Sequence, residues 1–359
     1  MSRPIRLYIS RQNLAHNLSI VRKNAPLSKI MAVVKANAYG HGAVEVSKEF
    51  VNAGADALAV CSIDEAIDIK DAKVSTPIVL LEGFFSEQEL SKIISLKLIP
   101  VVHSKEQLAV LKDYKINGEL NLIVKIDTGM HRLGFKPEEF AKIYSELLKL
   151  ANVNIFALMS HFARADEPQH VNNSRQLAEF KKMVNKIQAD KSMANSAAIL
   201  ALSEAHYDWV RPGIMLYGSN PFLSGNYQDF NLKPVMRFES EVIEIKNVKA
   251  GGEAGYGGTW TAGKDSRLAV VAAGYGDGYP RHAPNGTPVA INDKIAPLAG
   301  RVSMDMLTVD ISQISGVKVG DKVELWGDLV AADEVAQKSG TISYELFCSV
   351  TSRVPRIYD

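Results

Sequence analysis

A chain of 359 residues is long enough for a barrel-sized domain followed by a smaller one. Its 41 Lys and Arg against 40 Asp and Glu give no electrostatic case for nucleic acid or an anionic membrane. No apolar stretch nears the roughly 18 residues of a spanning helix, "MSRPIRLYIS" lacks a signal-peptide core, and Cys61 and Cys348 lack metal or redox spacing, so a cytoplasmic protein without a zinc site is expected.

After an N-terminal strand or helix, short apolar runs alternate with helix-period segments. "IMAVVK" at 30–35 precedes a helical stretch near 42–53, and "ALAVCS" at 57–62 precedes "IDEAIDIKDA". "PIVLLEG" leads into "SEQELSKIISLK", where Ser86 reads as an N-cap and Glu89 as its capping-box partner. "IPVVH" leads into "SKEQLAVLKDY", "LNLIVKID" into "KPEEFAKIYSELLKL", and "VNIFALMSHF" into the segment 172–189. "MANS" and "WVRPGIMLYG" supply the last two short runs. Continuous apolar strands with crossover helices imply a parallel sheet buried on both faces. A doubly wound sheet fits the same pattern. Functional-looking residues at the ends of many successive strands favour a (β/α)8 TIM-like barrel over residues 1–232. From 233 to 359 short β-like runs punctuated by Gly, Pro and Asp predict a mainly β C-terminal domain, with helical pattern returning only near 331–346.

"VVKANAYGHG" ends a buried run on a charged residue. Many lysines at strand ends simply carry their ammonium to solvent. At the C-terminal end of a barrel strand, Lys35 is instead a candidate amine for a Schiff base or a proton transfer. Further strand ends carry Arg132, beyond the strand of Lys125, and His161 in "MSHFARADE". Ser196 in "MANSAA" and Arg211 with Gly213 and Ile214 in "VRPGIMLYG" follow. A hydroxyl and backbone N–H groups suit a phosphate monoester. Together these residues suggest a phosphorylated cofactor held over a lysine.

The chain resembles the alanine racemase family, pyridoxal-phosphate enzymes built from a barrel and a β-domain. "AVVKANAYGHG", "DTGMHRLGF", "MSHFARADE", "NSAA", "VRPGIMLYG", "GYGGTW", "GYGDGYPR", "GRVSMDM" and "SYEL" stand in family order, nearly end to end. The resemblance implies interconversion of L- and D-alanine by two proton carriers, for peptidoglycan supply or catabolism. Lys35 would hold pyridoxal 5'-phosphate as a Schiff base and act on the D side, with Tyr256 on the L side. Tyr39, Ser196, Gly213, Ile214 and Tyr344 would bind the phosphate, Arg211 would face the pyridine nitrogen, and His161 would join the same network. Arg132 would lie near the substrate carboxylate, and Lys125 occupies a position that is carbamylated in some members. Tyr256, Met304 and Asp305 would come from the second subunit of a homodimer. Ser303 departs from the cysteine that is common before the Met-Asp pair.

Other classes fit less of the sequence. A cofactor-free aldolase lysine would leave Tyr256 and Arg211 without purpose. A non-enzymatic cofactor carrier would resemble the barrel alone. Barrel-type decarboxylases place a carboxylate against the pyridine nitrogen where "VRPG" offers Arg211. Serine or broad-specificity racemases remain the alternatives within the fold.

Overall fold

A computed structural model describes residues 3–359. Eight parallel strands close a barrel. They are β2 (Lys29–Val33), β3 (Ala57–Val60), β4 (Ile78–Leu80), β5 (Ile99–Val102), β6 (Leu120–Lys125), β7 (Val153–Met159), β8 (Asp190–Ser192) and β9 (Trp209–Val210). The ring shuts where Lys29 and Ile30 of β2 pair with Trp209 and Val210 of β9. Strands β3, β4 and β5 are buried at every residue, as expected of strands covered on one side by helices and filled on the other.

Two expectations need correction. The N-terminal strand β1 (Arg6–Ile9) lies outside the barrel, although residues 1–232 were assigned to it. It pairs antiparallel with β10 (Met236–Val248) and parallel with β18 (Arg356–Tyr358). Its alternation, with Leu7 and Ile9 buried and Arg6 and Tyr8 partly exposed, suits a sheet covered on one face. The seventh barrel strand, β8, is the polar Asp190–Ser192, one step before "MANS". Its short ladder to β7 tolerates polar residues at the barrel rim.

The C-terminal unit is mainly β. Strand β10 pairs with β13 (Ser266–Val271) and β17 (Lys322–Trp326). A small hairpin of β11 (Glu253–Ala254) and β12 (Trp260–Thr261) carries Tyr256 at its tip. Strands β14 (Pro288–Ile291), β15 (Lys294–Pro297) and β16 (Leu307–Asp310) complete it, with helices Ala332–Lys338 and Ser343–Ser349 beyond. One apolar core runs from the barrel interior into this sheet, through Leu7, Tyr217, Phe238, Trp326 and Phe347 among others.

Candidate active site

Lys35 lies one residue beyond the end of β2, after Val34, and opens an unusual turn. Ala36, Asn37, Ala38 and Tyr39 all have φ between 51° and 53°, and Gly40 follows at 77°. Each L-residue in that left-handed region costs about 1–2 kcal/mol, so tertiary contacts must hold the turn. Val34 O accepts from Ala38 N at 2.8 Å and Ala36 O from Gly40 N at 2.9 Å. Arg356 Nε donates to Gly40 O at 2.7 Å, and a Cβ at Gly40 would lie 2.0 Å from Phe347 O. His41 is fully buried, and its Nδ1–H donates to Tyr39 O at 2.8 Å and Ala38 O at 3.0 Å. Burial pushes its pKa down to about 3, against the opposing pull of those carbonyls, so the ring is neutral.

Tyr39, 8% exposed, packs between Tyr217 and Tyr344 with ring centroids 4.7 and 5.8 Å away. Its hydroxyl meets the backbone at Gly213, where a Cβ would sit 2.7 Å from Tyr39 Oη and 4.0 Å from Ser196 Oγ. Ser196 Oγ accepts from Gly213 N at 2.8 Å. A phenol, a serine and side-chain-free backbone thus converge, with Ile214 next in the chain and Tyr344 behind Tyr39.

Arg211 is buried at the ends of β7, β8 and β9. Its Nη1 donates to Ser192 Oγ at 2.5 Å and its Nη2 to Ser160 O at 2.6 Å and His161 Nδ1 at 3.0 Å. Burial, with Arg132 nearby, draws Arg211 down to about 9, which leaves it charged at neutral pH. Desolvation first, and then the charges of Arg211, Lys125, Arg132 and Lys35, hold His161 well below the usual histidine range. A neutral imidazole that accepts from Arg211 is the consequence.

Lys125 is 8% exposed, and burial followed by the charges of Arg211, Arg132 and Lys35 pulls its amine down to about 8. Asp127 opposes them, but its Oδ1 already accepts from Gly129, Met130 and His131 N at 3.0 Å each, which shapes the loop leading to the exposed Arg132. Around Lys125 and His161 the barrel mouth is therefore rich in cation.

The β-domain residues lie apart from this cluster. Tyr256 is 69% exposed and Met304 53%, and Tyr256 has no hydrogen-bond partner among the described residues. Asp305 accepts from Arg353 Nη2 at 2.6 Å, and its carbonyl from Arg3 Nη2 at 2.9 Å. The fully buried Asp277 ties both arginines together. Ser160, Ser192 and Tyr217, whose hydroxyl donates to Val33 O at 2.8 Å, support the site and were not singled out from sequence. Only their place at strand ends beside His161 and Arg211 could have signalled them.

Comparison with known proteins settles the family. The model for the alanine racemase N-terminal domain matches residues 9–221, and that for the C-terminal domain matches 235–358. The chain belongs to the alanine racemase family. Alanine racemase of Aeromonas hydrophila is 46% identical over 342 residues, 95% of each chain. That of Vibrio cholerae is 44% identical, covering 98% of this chain and 97% of its own. The biosynthetic alanine racemase of Pseudomonas aeruginosa superposes with a TM-score of 0.97 at 42% identity over 99% of both chains. That of Bartonella henselae, solved with covalently bound pyridoxal phosphate, superposes at 0.90 with 30% identity over 99% of both. No helix among the described residues is long and apolar enough to cross a membrane.

Proposed function

We propose that this chain interconverts L- and D-alanine with pyridoxal phosphate, using Lys35 and Tyr256 as proton carriers in a site shared by two subunits. The observation that carries this reading is the convergence of Lys35, the Tyr39–Ser196–Gly213 cradle and buried Arg211 at one barrel end. The donor set fits the cofactor. Hydroxyls and a backbone approached without a side chain suit a phosphate, and the clustered charges of Lys125, Arg132 and Arg211 favour an anion.

When bound, pyridoxal phosphate draws electrons from the substrate α-carbon and makes its proton removable. Lys35 Nζ anchors it and then serves one face of that carbon. Tyr256 Oη serves the other. Both terminal nitrogens of Arg211 are committed to the barrel, so its Nε–H is the donor that a ring acceptor would meet. A guanidinium has no readily lost proton, which keeps such an acceptor unprotonated and restrains side reactions. His161, accepting from Arg211 Nη2, helps hold the guanidinium in place. Arg132, exposed at the mouth, receives the substrate carboxylate. Lys125 has the depressed amine that a carbamate requires, and the negative carbamate would relieve the crowd of cations and steady Arg132.

The exposure of Tyr256, Met304 and Met306 supports the shared site, because apolar side chains left in water on one monomer are ready to be covered by another. The test is spectroscopic and chemical. The purified chain should carry a cofactor absorbance that borohydride abolishes, with the pyridoxyl group mapping to Lys35, and should racemise both alanine isomers. A label on Lys125 or Lys29, or no racemisation by the cofactor-loaded protein, would refute the reading.

A further inference from the structure

Three consecutive barrel helices open with the same signature, a serine followed three residues later by Glu or Gln: Ser62 with Glu65, Ser86 with Glu89, Ser104 with Gln107. In each, the third-position side chain accepts from the N–H of the residue before the serine. Glu65 Oε2 takes Cys61 N at 2.8 Å, Glu89 Oε2 takes Phe85 N at 3.3 Å, and Gln107 Oε1 takes His103 N at 2.9 Å. The remaining polar atom distinguishes them. Glu89 Oε1 stays at home and accepts from Ser86 Oγ. Gln107 Nε2 donates across to the carbonyls of Glu82 and Phe84 in the preceding loop. Glu65 Oε1 crosses to the preceding loop too, and accepts Ala36 N at 2.6 Å.

Ala36 is the residue after Lys35 and the first of the left-handed turn. Its N–H lies at the start of that turn, ahead of the turn's own carbonyl acceptors, and is taken by Glu65. Residue chemistry follows from the partners. Carbonyls across the gap at position 107 require the amide donor of glutamine. Two N–H groups at position 65 require two acceptor oxygens, which only a carboxylate has.

We propose that Glu65 is a positioning residue that aims the Lys35 amine. It ties the end of β3 to the first strained residue after the lysine, and so fixes the direction in which Lys35 leaves the barrel. The inference rests on Lys35 serving one face of the substrate, as proposed above. Glu65→Gln turns an NH2 towards one of the two N–H groups and loses that bond while nearly preserving shape.

Two measurements test it. In the cofactor-free chain, amide hydrogen exchange at Ala36 or Cys61, whichever faces the new NH2, should quicken about fivefold in Glu65→Gln, as expected for one lost hydrogen bond. In the loaded enzyme, the isotope effect with α-deuterated D-alanine should rise, because proton transfer at Lys35 becomes slower. The effect with α-deuterated L-alanine should fall, and kcat should drop about tenfold with KM within twofold. Glu89→Gln, altered at the equivalent position of the next helix, should change none of these. Unchanged exchange at both Ala36 and Cys61, or isotope effects that move together on both isomers, would overturn the proposal. If the parent enzyme does not racemise alanine, the reading of the function fails instead, while the exchange result still decides whether Glu65 holds the turn.

Discussion

Gly213→Ala is the sharpest perturbation of the cradle. The added methyl would lie 2.7 Å from Tyr39 Oη and 3.4 Å from Tyr39 Cζ. Carbon and oxygen atoms pack comfortably near ~3.5 Å, so the phenol must withdraw by more than about half an ångström. It has little room. Tyr217 stands behind it, fully buried, and Tyr344 flanks it. Overpacking of this kind costs about 1–3 kcal/mol. Urea unfolding of the cofactor-free protein should show that loss, and titration with pyridoxal phosphate should show weaker binding. Adding Tyr39→Phe removes the clashing oxygen and leaves Cζ as the nearest atom, at an ordinary contact distance. The double variant should therefore regain most of the lost stability but not the affinity, since the phenol also serves the phosphate. The reasoning is refuted if Gly213→Ala is as stable as the parent, or if Tyr39→Phe worsens it additively.

Tyr256→Phe should retain cofactor absorbance and lose nearly all turnover in both directions; undiminished exchange of the L-alanine α-proton with solvent would exclude Tyr256 as that base. Arg211→Glu should slow racemisation and produce a new long-wavelength absorbance band during turnover. Activity loss without such a band would mean that Arg211 chiefly positions the ring. The Lys125 amine titrates at about 8 in the fold against 10.5 ordinarily, so the unfolded chain binds this proton more tightly. In CO2-free buffer its contribution to stability is therefore lost as pH falls from about 10.5 to about 8. Lys125→Met should be more stable than the parent at pH 7, by on the order of a few kcal/mol, and this advantage should shrink above pH 8. An advantage that does not vary with pH would contradict the assigned burial of charge.

The barrel was legible because its central strands are uninterrupted apolar runs, such as Ile78–Leu80 and Ile99–Val102, which only a sheet buried on both faces can use. Strand β8 was displaced because Asp190–Ser192 has no apolar signal and owes its strand form to pairing with β7. The fate of β1 depends on partners more than 200 residues away, Phe238 and Ile357 among them, and nothing local announces them. At the site, residue types and strand-end positions pointed to Lys35, His161, Ser196 and Arg211 as a group, and the fold gathers them at one end of the barrel. The left-handed turn was not legible. In "ANAY" only Asn37 tolerates that backbone readily, and the rest of the turn is imposed by Glu65, His41, Phe347 and Arg356. Ser86 stands at the N-cap of its helix as expected, but its hydroxyl donates to Glu89 and caps no backbone N–H, and Glu89 serves Phe85 N in place of Ser86 N. The difference lies in side-chain reach, which spacing alone does not encode.

Complementation tests the central claim most directly, namely that one subunit's Lys35 works with another's Tyr256. Lys35→Ala and Tyr256→Phe chains, each nearly inactive alone, should be mixed in equal amounts under conditions where subunit exchange is demonstrated. About half the chains then sit in mixed dimers that hold one intact site in two, so roughly a quarter of parental activity should return. No recovery despite exchange would mean that each chain builds its site alone.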